Sequence, residues 1–116
     1  MTTLEFTSKH IGVEHVTIVS SLSFTETRRK LEEALPKLNL KIVEHLTGGN
    51  LQEVERYEES GPKLSIFLER DHGALLKVVG RSPNAIQYEI GNPVTASKMT
   101  RFCLAAALYA PLHRAF

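Results

Sequence analysis

The chain has 116 residues, which is the length of one small domain that can bury a core without a metal or disulfide to stabilise it. Apolar residues make up 42% and charged residues 23%, proportions typical of soluble globular domains and not of disordered or membrane-spanning chains. Fourteen Lys and Arg against thirteen Asp and Glu leave a formal charge of +1, so strongly basic nucleic-acid-binding proteins and proteins that bind anionic membranes are excluded classes.

The cysteine content and the N-terminus bear on where the protein works. Cys103 is the single cysteine, so an internal disulfide cannot form. Residues 1–5 lack the basic segment and apolar run of a secretory signal. The longest apolar stretch, 102–112, contains Pro111 and is too short to span a bilayer. These features predict a cytoplasmic, reducing location, and Cys103 itself is expected to be a buried small hydrophobe.

The first elements in chain order are a strand and a helix. Residues 13–19 (VEHVTIV) are rich in β-branched side chains and predict a central strand buried on much of both faces. Ser23 and Glu26 have the spacing of a capping box, which predicts a helix from Phe24 to about 35. Its apolar residues share one face, so this helix is expected to lie on a sheet. Pro36 ends it because proline lacks the N–H that a helix interior needs.

Residues 37–63 are compatible with either a strand or short helices, and short helices are favoured. Asn50 and Glu53 predict a helix start, and the spacing of the apolar residues that follow indicates a helix ending near Ser60. Gly61 and Pro62 then end that helix.

A second strand and a short helix follow. Residues 64–69 alternate apolar and other side chains as a strand does, with Leu64, Ile66 and Leu68 on one face. Asp71 can cap a short helix, and Gly80 can end it in a left-handed conformation.

The last predicted elements are a strand with one wet face and a long helix. Ile86, Tyr88 and Ile90 alternate with polar residues. Asn92 as N-cap and Pro93 at the first helical position open a helix expected to continue to about Leu108, before an extended tail. The whole pattern predicts one α+β domain over 1–116, a two-layer sandwich of helices on a mixed sheet.

Three separated motifs carry a family resemblance: DHGALL at 71–76, QYEIGNP at 87–93 and LYAPL at 108–112. With them, the chain resembles domain-of-unknown-function family 302 over most of its length. The resemblance implies a small α+β fold that tends to form homodimers, and it implies no established general activity.

Two departures from the family pattern qualify the resemblance. Many members carry a cysteine where this chain has Gly91, so a thiol or metal role at that position has no counterpart here. The family usually continues into one or two further strands, whereas this chain stops at Phe116. The sheet is therefore expected to lack its last strands and to leave an open edge near 112–116, where a partner strand can pair.

His72 is the strongest candidate for chemistry because it follows Glu69 and Asp71 at a junction between a strand and a helix. A neighbouring carboxylate can orient one imidazole nitrogen and leave the other for a proton or a metal, and Glu69 and Asp71 can also act as paired acids. The structural interpretation, in which Asp71 caps the helix and His72 makes a local hydrogen bond, is favoured.

A ligand site can form at the same strand ends. Asn92 begins a helix whose free N–H groups attract anions, although its own side chain can use that capacity. Tyr88 and Tyr109 can line an apolar pocket, although an interpretation as core residues is favoured. The five histidines lack the spacing of a zinc site, so no metal ligands are predicted. The basic residues 28–30 are expected to form a solvated helix face paired with acids four residues on.

These observations lead to three hypotheses. The first is a non-catalytic homodimeric module that binds a small, partly apolar ligand between helix and sheet, with His72, Tyr88 and Asn92 near the opening. The second is a small enzyme or metal protein that uses His72. The third is a protein-interaction module with an open sheet edge. The sequence identifies no cofactor.

Overall fold

The computed structural model describes residues 3–108 and 112–115, which form five α-helices, two 3₁₀ turns and three strands. The helices are α1 (Phe24–Ala34), α2 (Leu40–Thr47), α3 (Leu51–Ser60), α4 (His72–Leu75) and α5 (Pro93–Thr100). The strands are β1 (Ser65–Asp71), β2 (Ile86–Gly91) and β3 (Leu112–Ala115), and the 3₁₀ turns span Leu76–Val79 and Leu104–Leu108. The α+β class is confirmed.

The sheet has the order β1-β2-β3, and both ladders are antiparallel. Its parallel component is an isolated bridge between Lys37 and Ile66. The Leu38 N–H donates to the Ile66 carbonyl at 2.9 Å, and the Ile66 N–H donates to the Pro36 carbonyl at 2.8 Å. The chain leaving α1 therefore covers the outer edge of β1 at this point.

One hydrophobic core lies between the sheet and α1. Its buried members are Ile66, Ile86, Tyr88 and Ile90, and the partly buried side chains of α1 that pack against them are Phe24, Leu31 and Leu35. The expectation that this helix lies on a sheet is confirmed. Three of the four buried core residues belong to β2, so the central strand of the sheet supplies most of this core.

A β-bulge changes which side chains of β1 face the core. The pairing register shifts between Ile66 and Leu68, so the alternation is interrupted after Ile66. Leu68, which was predicted to share a face with Ile66, is 41% exposed, whereas Glu69 is half-buried. The prediction for Leu68 was wrong because a bulge has no signature in the alternation itself.

The predicted helix starts are confirmed by their hydrogen bonds. Ser23 Oγ accepts from the Glu26 N–H at 3.2 Å, and Asn50 Oδ1 accepts from the Glu53 N–H at 3.3 Å. The capping box at α1 is half formed, because the carboxylate of Glu26 bonds to Arg29 and not to the Ser23 N–H. Short helices over 40–60 are confirmed as well.

The strand predicted over 13–19 is not formed. Val13, Val16, Ile18 and Val19 are between 65% and 91% exposed, and no regular structure occurs between residues 3 and 20. The central position expected for this segment is held by β2, which is flanked by β1 and β3. A β-branched composition favours a strand only where a neighbouring strand supplies backbone partners and a packed face.

The C-terminal part differs from the prediction in two respects. Helix α5 ends at Thr100, not near Leu108, and the hydroxyls of Ser97 and Thr100 bond to carbonyls three residues earlier, an alternative to continued helix. Cys103 follows this helix end and is exposed, so the prediction that it is buried was wrong.

The tail pairs with β2 as β3 and occupies one edge of the sheet. The edge predicted near 112–116 is thus formed by this segment over the residues that the structure describes, and Phe116 lies outside them.

Candidate functional site

The junction between β1 and α4 holds the predicted catalytic residues. Asp71 Oδ1 accepts a hydrogen bond from the Ala74 N–H at 2.9 Å and so caps α4. His72 is exposed, and its Nε2 lies 2.8 Å from Gln87 Oε1 on the neighbouring strand. The predicted cap at Asp71 is confirmed, whereas the hydrogen bond of His72 reaches a side chain 15 residues further along the chain and is not the local bond that was expected.

Both carboxylates of this junction contact one guanidinium on α1. Arg28 Nη2 is 2.7 Å from Glu69 Oε1, and Arg28 Nη1 is 3.9 Å from Asp71 Oδ2. The two acids therefore share a side of the strand, as predicted. Among the described residues, neither acid bonds to the imidazole of His72, and the partner of that ring is an amide, which cannot take up a proton.

Gly73 in the same motif has a packing role. A Cβ atom at this position would lie 2.0 Å from the Pro83 carbonyl oxygen, and the Gly73 N–H donates to the Ala85 carbonyl at 3.0 Å. The close approach of 83–85 to the start of α4 therefore requires glycine.

Tyr88 is a core residue whose hydroxyl is bonded to α1. Its side chain has 0% exposure, and its hydroxyl donates to Glu32 Oε1 at 2.6 Å. Glu32 Oε1 also accepts from Arg28 Nε at 3.0 Å. The position expected for Tyr88 at the opening of a pocket is therefore corrected, because a fully buried ring leaves no surface for a ligand.

This hydrogen-bonded group shifts the proton affinities of its members. Burial, with a smaller effect from the Glu32 carboxylate, raises the pKa of the Tyr88 phenol. The hydrogen bond from Tyr88, followed by that from Arg28, lowers the pKa of Glu32. Bonding to Glu32 in turn raises the pKa of the Arg28 guanidinium. The three groups are therefore held as phenol, carboxylate and guanidinium, the protonation states in which each bond is made.

Asn92 uses its side-chain amide on the backbone. Its Oδ1 accepts from the N–H groups of Val94 at 3.0 Å and Thr95 at 3.2 Å, and its Nδ2 donates to the Lys63 carbonyl at 3.0 Å. The amide thus caps α5 and ties it to the chain entering β1. Tyr109, the remaining predicted ligand-binding residue, lies outside the described residues.

A shallow depression near the Gln87 partner of His72 is lined by Leu68, Arg70, Gln87 and Glu89, and its volume for a water-sized sphere is about 0 Å³. His72, Tyr88 and Asn92 do not line it. A cleft of about 270 Å³ lies between α2 and α3. The residues that line this α2–α3 cleft are Asn39, Lys41, Ile42, His45, Glu53, Arg56, Tyr57, Ser60 and Gly61.

The cleft arises from a helical hairpin. Helices α2 and α3 are joined by the turn at 48–50, in which Gly49 has a φ of +69° that glycine adopts without strain. Asn39 caps α2 by accepting from the Lys41 N–H at 3.0 Å. The partly buried Tyr57 provides apolar surface within the cleft, and Ile42, which is 3% exposed, also lines it.

Some charged groups of the cleft form an ion pair with each other, and others have no partner among the described residues. Arg56 Nη1 lies 3.0 Å from Glu53 Oε1, so these two charges compensate each other. Within the described part of the chain, the side chains of Lys41 and His45 make no hydrogen bond or ion pair. Sequence reasoning missed this site, although Lys41 and His45 stand four residues apart and so share one side of α2.

Two further classes of site have no counterpart in the ranges 3–108 and 112–115. No group of three or more His, Cys, Asp or Glu side chains is placed to hold a metal ion. No helix of these ranges combines the length and the apolar character needed to cross a membrane.

Comparison of the chain with protein-family models, with curated proteins and with solved structures finds no match in any of the three. The resemblance to domain-of-unknown-function family 302 therefore stays a prediction.

Proposed function

We propose that this chain is a non-catalytic cytoplasmic module that binds a small, partly apolar ligand in the α2–α3 cleft. The observation that carries the proposal is an open volume of about 270 Å³ lined by the partly buried Tyr57 and by Lys41 and His45, whose side chains have no partner among the described residues. Ligand sites combine apolar walls with a few polar groups, and their volumes begin at about 300 Å³. The cleft therefore suits a compact metabolite.

An enzyme that uses His72 has less support. Catalysis by a histidine needs a partner that orients the ring and a concavity that holds the substrate near it. Here the ring bonds to the neutral amide of Gln87, and the adjoining depression has no room for a water molecule. The carboxylates of Glu69 and Asp71 are directed to Arg28.

A fragment screen by two-dimensional amide NMR tests the proposed function. We expect small aromatic and aliphatic fragments to shift the amide signals of Ile42, His45 and Tyr57. The variant Ser60→Phe places a ring at the cleft and should abolish these shifts, because Ser60 is exposed and lines the opening. The matched control Ser82→Phe adds the same ring to an exposed loop outside the cleft and should leave binding unchanged.

The screen has two results that would contradict the proposal. One is a folded protein to which no fragment binds. The other is binding that shifts the signals of His72 and Asn92 and survives Ser60→Phe, which would return the ligand site to the strand ends.

We also infer that the chain forms homodimers, and the exposed N-terminal segment supports this second proposal. Leu4 and Phe6 are more than 90% exposed, and the β-branched residues of 13–19 add further apolar surface. Burying exposed apolar side chains on association is favourable, because it removes their surface from water. The outer edge of β3 offers a second copy backbone groups for strand pairing.

Sedimentation velocity of the full chain tests the homodimer. The double variant Val16→Asp, Ile18→Asp should shift the protein to monomers, whereas Val78→Asp, at a side chain that is 89% exposed on a 3₁₀ turn, should not. A wild-type chain that stays monomeric at the highest attainable concentration would contradict the inference.

A further inference from the structure

We propose that the ligand of the α2–α3 cleft is a small organic monocarboxylate whose carboxylate binds Lys41 and His45 and whose apolar part packs on Tyr57. This inference rests on the proposed function, because it specifies the ligand class of the same cleft. Three features of the cleft lead to it: its net charge, the placement of its hydrogen-bond donors and the position of its apolar surface.

The net charge of the lining favours an anion. Glu53 is the single acidic residue that lines the cleft, and it is paired with Arg56 at 3.0 Å. Lys41 is left without a counter-ion among the described residues. A cationic ligand would add to this surplus, whereas one carboxylate would neutralise it.

The donors are arranged to meet two oxygen atoms. Lys41 and His45 are four residues apart on α2, so their Cβ atoms are about 5–6 Å apart on one side of the helix. An ammonium offers three N–H donors and an imidazole at least one, so each side chain can bind one oxygen of a carboxylate. Lys41 lies in the first turn of α2, where the helix dipole also favours negative charge.

The apolar surface of the cleft indicates the chemistry of the rest of the ligand, the part other than its carboxylate. Tyr57 is partly buried on α3, and Ile42 lies on α2 beside the polar pair. A cleft of about 270 Å³ accommodates one ring or a short alkyl chain together with a carboxylate. A nucleotide would bring several negative charges to a lining whose one unpaired ionic group, among the described residues, is Lys41.

Two probes of nearly the same shape, one charged and one neutral, distinguish the effect of the ligand's charge on binding from the effect of its shape. Benzoate and benzamide have the same ring and a planar head group, and only benzoate is negatively charged at neutral pH. We expect benzoate to bind about threefold to fivefold more tightly, which is the effect of one partly exposed ion pair. The dissociation constants are read from amide shifts of Ile42 and Tyr57 during titration.

Two variants identify the groups responsible. Lys41→Gln should reduce the benzoate preference to about one, and His45→Gln should reduce it in part. Lys77→Gln is the matched control, because Lys77 is an exposed lysine on the 3₁₀ turn after α4, outside the cleft. It should preserve the preference.

The outcomes distinguish this inference from the proposed function. Equal binding of the two probes, or a preference that survives Lys41→Gln, overturns the monocarboxylate and leaves the cleft as a site for neutral ligands. Failure of both probes and of the wider fragment panel to bind the folded protein overturns the cleft function itself, and the monocarboxylate with it.

Discussion

Removing the hydroxyl of Tyr88 is the sharpest test of how the sheet is joined to α1. The hydroxyl donates to Glu32 at 2.6 Å across the main packing interface, and the ring around it has 0% exposure. Tyr88→Phe keeps the ring and deletes one hydrogen bond to a carboxylate. We therefore expect a loss of stability without a change of fold.

The magnitude follows from the surroundings of the carboxylate. Hydrogen bonds to charged groups contribute about 1.5–3 kcal/mol. The Glu32 side chain is 38% exposed and keeps its bond to Arg28 at 3.0 Å, so water and the guanidinium compensate in part. The expected loss lies at the lower end, about 1.5 kcal/mol, and a domain of this size should show a decrease in Tm of about 6 °C.

Urea denaturation followed by circular dichroism measures this loss directly. Tyr57→Phe is the matched control, because Tyr57 is a partly buried tyrosine whose hydroxyl has no hydrogen-bond partner among the described residues. It should change the free energy of unfolding by less than about 0.5 kcal/mol. If the two variants lose equal stability, the bond between Tyr88 and Glu32 does not stabilise the fold and the reasoning is wrong.

The same bond predicts a dependence of stability on pH. The folded-state pKa of Glu32 lies below its ordinary value of 4.5, chiefly because of the bond from Tyr88, so its contribution is present above pH 4.5 and is lost as the pH falls through the folded pKa. The folded-state pKa of Tyr88 lies above its ordinary value of 10.0, so stability is lost as the pH rises beyond 10. Tyr88→Phe should remove the part of the alkaline loss that Tyr88 causes and the part of the acid loss that its bond to Glu32 causes.

Three further substitutions or deletions test the fold in denaturation experiments. Gly73→Ala should cost several kcal/mol, because its Cβ would lie 2.0 Å from the Pro83 oxygen, whereas Gly12→Ala, with nothing within 4 Å, should change little. Asn92→Ala should cost about 1–2 kcal/mol through the lost cap of α5, with lower helix content by circular dichroism. Deleting 112–116 should lower stability and promote aggregation, since it exposes the edge of β2 to other chains.

Local chemistry predicted most of the regular structure. Ser23, Asn50, Asp71 and Asn92 were all recognised as helix caps, and each one accepts the backbone N–H expected of a cap. Gly80 ends the turn after α4 with a φ of +71°, as its type indicates. These features depend on residues within four positions of each other, so the sequence contains all the information needed to find them.

Features that depend on distant partners were not predictable in this way. The segment 13–19 has the composition of a strand. Whether it forms one depends on whether a neighbouring strand is free to pair with it, and both edges of β2 are already paired, with β1 and with β3. The bulge after Ile66 likewise arises from the register against β2, and the residue types of β1 do not predict it. Composition can favour a strand without determining that it forms.

The candidate site shows why polar residues at strand ends attract functional interpretations. A helix start and a ligand site need the same groups, since both use short polar side chains and free backbone N–H donors. In this chain Asp71 and Asn92 bond to the backbone, and Glu69 bonds to Arg28. The α2–α3 cleft is the opposite case, because Lys41 and His45 look like ordinary residues of a helix surface in the sequence. Their lack of partners becomes visible only when α3 packs beside them, so in this fold the groups available to a ligand are those that local structure does not use.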